Sequence, residues 1–269
     1  MAEVLLCAHR GERVTGDGNT LSAFRNALSV GVDMIETDVR MTVDGALILM
    51  HDEVLDTTTD GTGLIAERTL NEVRAVNAMA HAKLPCAPEP PPTLDEFLAL
   101  MDAYPDVLLN IEFKDYPTAG NEAFAFASCD RIAKRLYDGG YAGRTFITTF
   151  DGRILERVYR TYGRAFRYHG FYPWFIMGEL TIDPGEYVTI ACMQHRYQTP
   201  DGTVIKYDDP LCPKDWFDTV KAMGIQPLAA PSLTTYENFG KAFDYGATLV
   251  NADDPKGMLA FLRQRGLHR

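Results

Sequence analysis

Short apolar runs alternate with longer amphipathic stretches from one end of this chain to the other. That alternation confines it to a largely parallel α/β architecture. Runs that read as strands are Val4–Ala8, Met34–Val39 with Leu47–Met50 following, Val107–Phe113, Thr145–Thr149, Ala165–Tyr168, Tyr187–Met193, Gln226–Ala230 and Thr248–Asn251. Between them, Leu21–Val30, Leu94–Ala103, Asn121–Tyr137, Arg153–Thr161, Pro213–Met223, Tyr236–Tyr245 and Pro255–Arg265 read as helices. Thr93-Leu94-Asp95-Glu96 has the pattern of a capping box, and Pro255 suits a first helical turn. With Leu47–Met50 counted as an extension of the second strand, about eight strand–helix units result, which predicts a (β/α)8 TIM barrel. The alternative is a doubly wound sheet. One barrel domain over residues 1–269 is expected, with an insertion at about 52–92.

Two stretches break the rhythm. The first carries a Thr/Asp/Gly-rich turn, a short helix-like piece at Leu70–Ala78 and the Pro-rich Cys86–Pro92; the second, His195–Leu211, is polar and turn-rich. Both follow strands and are expected to wall the mouth of a barrel.

The chain is acidic, with a net charge of -11 and a pI near 5.0, which argues against nucleic acid as a partner. A small phosphate ester stays compatible, because a cation and a few local Lys or Arg residues reverse the local field. Five scattered cysteines, Cys7, Cys86, Cys129, Cys192 and Cys212, form no CxxC pair, so reduced thiols are expected. Val4–Ala8 is too short for the apolar region of a signal peptide, and no segment has the apolar length to span a membrane. A soluble cytoplasmic protein is the expectation.

The chemistry lies near the strand ends. His9 ends one apolar run and His51 another. Glu36 and Asp38 lie two apart on a strand and so share a face, opposite Ile35 and Val39. In Leu108–Lys114, Leu109, Ile111 and Phe113 share one face, and Asn110, Glu112 and Lys114 the other. Glu36, Asp38 and Glu112 can therefore converge at one rim. Two like charges about 4 Å apart repel by about 4 kcal/mol at an effective dielectric near 20, so a proton or a cation must intervene. Three oxygen donors without sulfur favour Mg²⁺ or Ca²⁺ over zinc. Two imidazoles can divide a proton donor and a proton acceptor between them. Arg10 and Lys114 can hold phosphoryl oxygens. The set points to metal-assisted cleavage of a phosphate ester. Singly, each histidine has a structural reading, Glu112 and Lys114 can simply pair, Arg10 can brace a loop, and Asp52 either orients a histidine or caps a turn.

These residues resemble the glycerophosphodiester phosphodiesterase family. The likeness rests on His9-Arg10-Gly11, Asn19-Thr20, Glu36-Thr37-Asp38-Val39, Asp44-Gly45, His51-Asp52, Leu55–Gly63, Pro92-Thr93-Leu94 and Ile111-Glu112-Phe113-Lys114, and is thin after about residue 114. The resemblance implies a barrel with a divalent ion on Glu36, Asp38 and Glu112. It implies His9 and His51 as base and acid, Arg10 and Lys114 as phosphate contacts, and a glycerophosphodiester cleaved to an alcohol and glycerol 3-phosphate. Gly18 stands where the family usually has Glu, so a polar contact from that loop is expected to be missing. Pro227–Ala230 lacks the family's tryptophan-led strand and Val250–Pro255 matches its ending only loosely, which touches the leaving-group pocket.

Rival readings are a lysophospholipase D-like phosphodiesterase, a phosphodiester-binding barrel without turnover, and a barrel whose acidic rim binds Ca²⁺ for stability. The aromatic run Tyr168–Phe175 reads as packing or as a choline or acyl pocket. His195-Arg196 reads as a surface loop or a late phosphate contact, and the Gly61/Gly63 segment as a plain turn.

Overall fold

The computed structural model describes residues 3–194, 211–230, 232, 233 and 235–269, with the backbone alone at 196–198 and 204–206. Eight parallel strands close into a barrel: β1 (Leu5–Ala8), β2 (Met34–Met41), β3 (Leu108–Phe113), β4 (Thr145–Thr148), β5 (Arg167–Tyr172), β6 (Val188–Met193), β7 (Gln226–Ala229) and β8 (Leu249–Ala252). Each pairs with the next, and β8 pairs back with β1, Leu249 beside Leu5 and Asn251 beside Cys7. The expected barrel forms.

Among the described residues the helices of eight residues or more around it are α1 (Leu21–Val30), α2 (Leu94–Met101), α3 (Glu122–Asp138), α4 (Gly152–Tyr162), α5 (Lys214–Ala222), α6 (Tyr236–Tyr245) and α7 (Pro255–Gln264). The capping box forms as read, Thr93 Oγ1 accepting from the Glu96 N–H at 3.1 Å while the Glu96 carboxylate takes the Thr93 N–H at 2.8 Å. Pro255 opens α7 behind the N-cap Asp254. The strand faces that turn outward carry Ile35, Val39, Leu109, Ile111 and Ile147 into one core with the helices. Cys7, Cys129, Cys192 and Cys212 are buried free thiols and Cys86 an exposed one. No helix among the described residues is long and apolar enough to cross a membrane.

Three expectations need correction. Leu47–Leu49 does not extend the second strand but folds back antiparallel on it, Leu49 beside Val39 and Leu47 beside Met41. Period-2 patterning cannot distinguish a strand that continues from one that returns. The fifth strand is not Ala165–Tyr168 but Arg167–Tyr172, and so takes in most of the aromatic run, as the β-propensity of Tyr and Phe favours. Of Leu70–Ala78, only Leu70–Val73 is helical.

The insertion after the hairpin builds a small core of its own from Ile48, Met50, Leu55, Ile65 and Val73. Its segment Leu64–Glu67 flanks a groove of about 430 Å³ beside the mouth, together with Lys114, Tyr116 and Phe124. Of the second irregular stretch the structure describes one antiparallel backbone pair, Arg196–Gln198 with Val204–Lys206. His195 and the Arg196 side chain lie outside the described residues.

Because this small core is attached through the hairpin, truncating it should loosen the insertion before the barrel. Ile65→Ala, at a residue 1% exposed, is expected to destabilise locally by about 2–5 kcal/mol. Limited proteolysis should then cut within 52–92 well before the barrel unfolds. Cleavage no faster than in the wild type would contradict a separate small core.

Candidate active site

β1 delivers the first histidine. Its parallel pairing with β8 continues one step past the strand, where the His9 N–H donates to the Ala252 carbonyl at 3.0 Å. The chain then turns sharply, with Arg10 at φ +56° and Gly11 at φ +79°. The turn aims the Arg10 N–H at Glu36 Oε2, 2.8 Å away. His9 Nδ1 lies 2.6 Å from Asp253 Oδ1, which also accepts from Arg13 Nη1 at 2.8 Å. Arg13 Nη1 is 3.2 Å from His9 Nδ1 as well, but two N–H donors cannot bond, and the shared acceptor Asp253 fixes both. The proton is thereby held on Nδ1, leaving Nε2 facing the cavity 4.0 Å from Glu36 Oε2.

The carboxylates come from β2 and β3, adjacent and in register with Asp38 beside Glu112. Glu36, Asp38 and Glu112 each present an oxygen, and the three lie within 4.8 Å of one another. All are buried. Lys114, one step beyond β3, places Nζ 2.6 Å from Glu112 Oε1 and 3.3 Å from Asp38 Oδ1. The Tyr116 hydroxyl donates to Glu112 Oε1 at 3.1 Å. Arg10 Nε lies 3.1 Å from Asp38 Oδ2.

Asn19 completes the bracing. Its Nδ2 donates to Asp38 Oδ2 at 2.8 Å while its Oδ1 accepts from the Thr37 hydroxyl at 2.8 Å. The loop expected to lack a polar contact thus makes one through Asn19, and the glycine has a steric reason. At φ +84° a Cβ on Gly18 would meet Arg10 Cβ and the Arg10 carbonyl oxygen at 2.6 Å each. No side chain fits there without moving Arg10.

The hairpin brings in the second histidine. Met50 N–H donates to the Asp38 carbonyl, so His51 lands beside the acidic cluster. Arg40 clamps this return, donating to the His51 carbonyl at 2.8 and 3.0 Å and to the Lys114 carbonyl at 3.0 Å. Asp52 orients the ring, its Oδ1 3.0 Å from His51 Nδ1.

All the expected site residues meet at this rim. His9, Arg10, Glu36, His51, Glu112 and Lys114 line one cavity of about 220 Å³, with Asp38 directly beneath. Sequence reasoning missed Asn19, Asp253, Arg40 and Tyr116 as supports and Phe150 as a wall. Of the aromatic run, Phe171 and His169 face this cavity, whereas Tyr168 packs in the core against Tyr159 and Tyr187.

Burial drives the electrostatics. It lifts the Glu36 carboxyl well above the usual carboxylate range, reinforced by Asp38 and Glu112. Burial acts the same way on Asp38, but Lys114 and Arg10 outweigh it and hold that carboxyl well below the usual range. Burial lowers both His9 and His51, so both rings are neutral near pH 7. Asp253 is held at about 2, because His9 and Arg13 overcome its burial.

A divalent cation fits this set. Asp38 Oδ1 is buried with no hydrogen bond among the described residues, its ionic neighbour being the Lys114 ammonium at 3.3 Å, and burial with two neighbouring carboxylates pushes Glu36 toward its protonated form. With Glu36 protonated, the carboxylates of Asp38 and Glu112 balance Arg10 and Lys114. A dication would displace the Glu36 proton and leave one net positive charge, the amount that a phosphodiester anion neutralises.

Barrel and site together define a (β/α)8 protein with a buried acidic cluster flanked by two histidines. The glycerophosphoryl diester phosphodiesterase family profile matches residues 9–168. A glycerophosphodiester phosphodiesterase of Caldanaerobacter subterraneus is 35% identical over 160 residues, covering 58% of this chain and 62% of that protein. One from Bacillus subtilis is 31% identical over 166 residues, 58% of this chain and 56% of that protein. The matched region thus spans less than two thirds of these relatives. Among solved structures, a glycerophosphodiester phosphodiesterase from Parabacteroides distasonis superposes with a TM-score of 0.74 at 18% identity, covering 99% of this chain and all of that one. An Oleispira antarctica phosphodiesterase in complex with the product sn-glycerol-3-phosphate does so at 0.73 and 19%, covering 97% of each. The chain belongs to the glycerophosphoryl diester phosphodiesterase family.

Asp253 raises the His9 pKa against burial, so removing its charge should lower it. In Asp253→Asn the His9 imidazole is expected to titrate at a lower pH than in the wild type, read from its ring-proton shifts by NMR. An unchanged or higher titration point would contradict the assigned contact.

Proposed function

We propose that this protein hydrolyses glycerophosphodiesters to an alcohol and glycerol 3-phosphate, within one barrel domain spanning 1–269. Glu36, Asp38 and Glu112 would hold one divalent cation, Mg²⁺ or Ca²⁺. The observation that carries the reading is the meeting of three buried carboxylates, two oriented histidines and two cations around one small cavity. The five free cysteines fit a reducing, cytoplasmic setting.

When bound, the ion polarises a phosphoryl oxygen and offsets the charge that develops on it. Arg10 and Lys114 hold the other phosphoryl oxygens by charge-assisted hydrogen bonds. His9 and His51 each have Nδ1 against a carboxylate, Asp253 and Asp52, which leaves Nε2 of each free to exchange a proton. One removes the proton of the nucleophile and the other protonates the leaving alcohol. Since burial lowers both pKa values, the ring that acts as acid gains its proton as the anionic substrate binds, and a bell-shaped pH profile results.

One observation favours a lysophospholipase D-like variant of the same chemistry. The groove of about 430 Å³ beside Lys114, with Leu64, Tyr116 and Phe124 in its walls, offers apolar surface for an acyl chain.

His9→Ala and His51→Ala are each expected to lower kcat for glycerol 3-phosphate release by about 10²–10⁴-fold. Both should melt within a few degrees of the wild type. Near wild-type turnover in either variant would refute the assigned pair.

A further inference from the structure

Where the ladder between β2 and β3 ends, two side chains take over from it. Val39 stands beside Phe113, and its carbonyl accepts the Lys114 N–H at 3.1 Å. A continued parallel ladder would next join the Met41 N–H to the Lys114 carbonyl. Here that bond is replaced. The Lys114 carbonyl accepts from Arg40 Nη1 at 3.0 Å, and the Met41 N–H donates to Asp115 Oδ2 at 2.8 Å. Asp115 Oδ1 lies 3.3 Å from the same Arg40 Nη1, so the two side chains bridge the strand ends. Asp115 Oδ2 also accepts from the Ser128 hydroxyl of α3 at 2.7 Å. Asp115 and Ser128 are both buried. A buried carboxylate needs such partners, and these tie the end of β3 to β2 on one side and to α3 on the other.

The bridge reaches the second histidine. Among the described residues, the last backbone bond between the hairpin arms runs from the Met50 N–H to the Asp38 carbonyl, one residue short of His51. Beyond it, Arg40 Nε and Nη2 hold the His51 carbonyl at 3.0 and 2.8 Å. The ring is held by Asp52, which is the next residue on the same segment and moves with it. Lys114 differs. Its Nζ is fixed separately by Glu112 and Asp38, so loosening its carbonyl leaves the ammonium in place. A guanidinium carries its five N–H donors in one rigid plane, so the edge turned to Asp115 fixes the edge that meets His51. The position of His51 therefore depends on a carboxylate that it never touches.

We propose that Asp115 and Ser128 are positioning residues for His51, acting on it through Arg40 and linking an outer helix to a histidine at the barrel mouth. Ser128 holds Asp115, Asp115 aims the guanidinium, and the guanidinium sets the His51 backbone. The assignment rests on the phosphodiesterase reading above, in which His51 exchanges a proton with the substrate. An ion pair that merely closed the end of the sheet would leave the ring where it is when weakened.

The test combines kinetics of glycerol 3-phosphate release with NMR of the histidine ring protons, both with Mg²⁺ or Ca²⁺ present. Asp115→Ala is expected to lower kcat about tenfold or more, with KM within about twofold of the wild type. Asp115→Asn keeps an acceptor for the Met41 N–H but loses the charge that faces Arg40, and should fall between Asp115→Ala and the wild type. Ser128→Ala, the mildest change, should lower kcat by about threefold. In each variant the His51 ring resonances should shift, while those of His9, held across the barrel seam by Asp253, should stay. If Asp115→Ala fails to fold, Asp115→Asn and Ser128→Ala decide. Wild-type kcat and unmoved His51 resonances in those two overturn the proposal. So does an equal shift of His9 and His51, which marks general loosening, or a raised KM with kcat unchanged, which marks substrate binding. Should the wild type release no glycerol 3-phosphate, the ring resonances still decide. Movement of His51 alone would then remove the proposed reaction and leave the positioning role standing.

Discussion

Repulsion among three buried carboxylates is the constraint around which this barrel is built. Glu36, Asp38 and Glu112 stand within 4.8 Å of one another with almost no access to water. At such distances each ionised pair costs about 4 kcal/mol even at an effective dielectric near 20. The surrounding chain is arranged to offset this. Arg10 adopts a left-handed backbone that points its N–H at Glu36, and Gly18 has no side chain so that Arg10 can lie there. Asn19, also left-handed, caps Asp38. Lys114 sits between Asp38 and Glu112, which together raise its pKa against the opposing effect of burial. Strain of this kind persists only where the surrounding structure compels it, and here it clusters around the charges. A divalent cation would complete the arrangement.

The histidines depend on topology. Closure of the barrel sets β8 beside β1, and that seam brings Asp253 to within 2.6 Å of His9 across almost the whole length of the chain. The hairpin after β2 brings the chain back so that His51 arrives at the level of Asp38, and Arg40 holds the return closed against the end of β3. Each imidazole therefore has one nitrogen fixed by a carboxylate, His9 by Asp253 across the barrel seam and His51 by the adjacent Asp52, with its other nitrogen left open to the cavity. Replacing the barrel closure or the hairpin would move a histidine without touching it.

What was legible in the sequence follows from local periodicity. The common face of Glu36 and Asp38, the polar stripe Asn110-Glu112-Lys114, the cap at Thr93 and the opening proline Pro255 are properties of a few neighbouring residues, and they form as read. The direction of Leu47–Leu49 was not legible, because an apolar run reads alike in either sense. Nor was the Asp253 contact, since nothing local in Asn251–Pro255 announces a partner some 244 positions away. Which members of the aromatic run face the cavity was not legible either, because aromatic residues on both strand faces masked its alternation. Asn19 was visible as a motif residue, yet its role depends on the left-handed turn that only the folded loop displays. The candidate site residues were thus legible in the sequence, and the fold supplied the groups that hold them.

The central claim is that the acidic cluster works through a divalent cation. The most direct measurement is release of glycerol 3-phosphate from a panel of glycerophosphodiesters, first with chelator and then with Mg²⁺ or Ca²⁺ restored. The account predicts that release stops under chelation and returns with at least one of the two ions. Undiminished release in the presence of chelator would contradict it, and the buried carboxylates would then need another explanation.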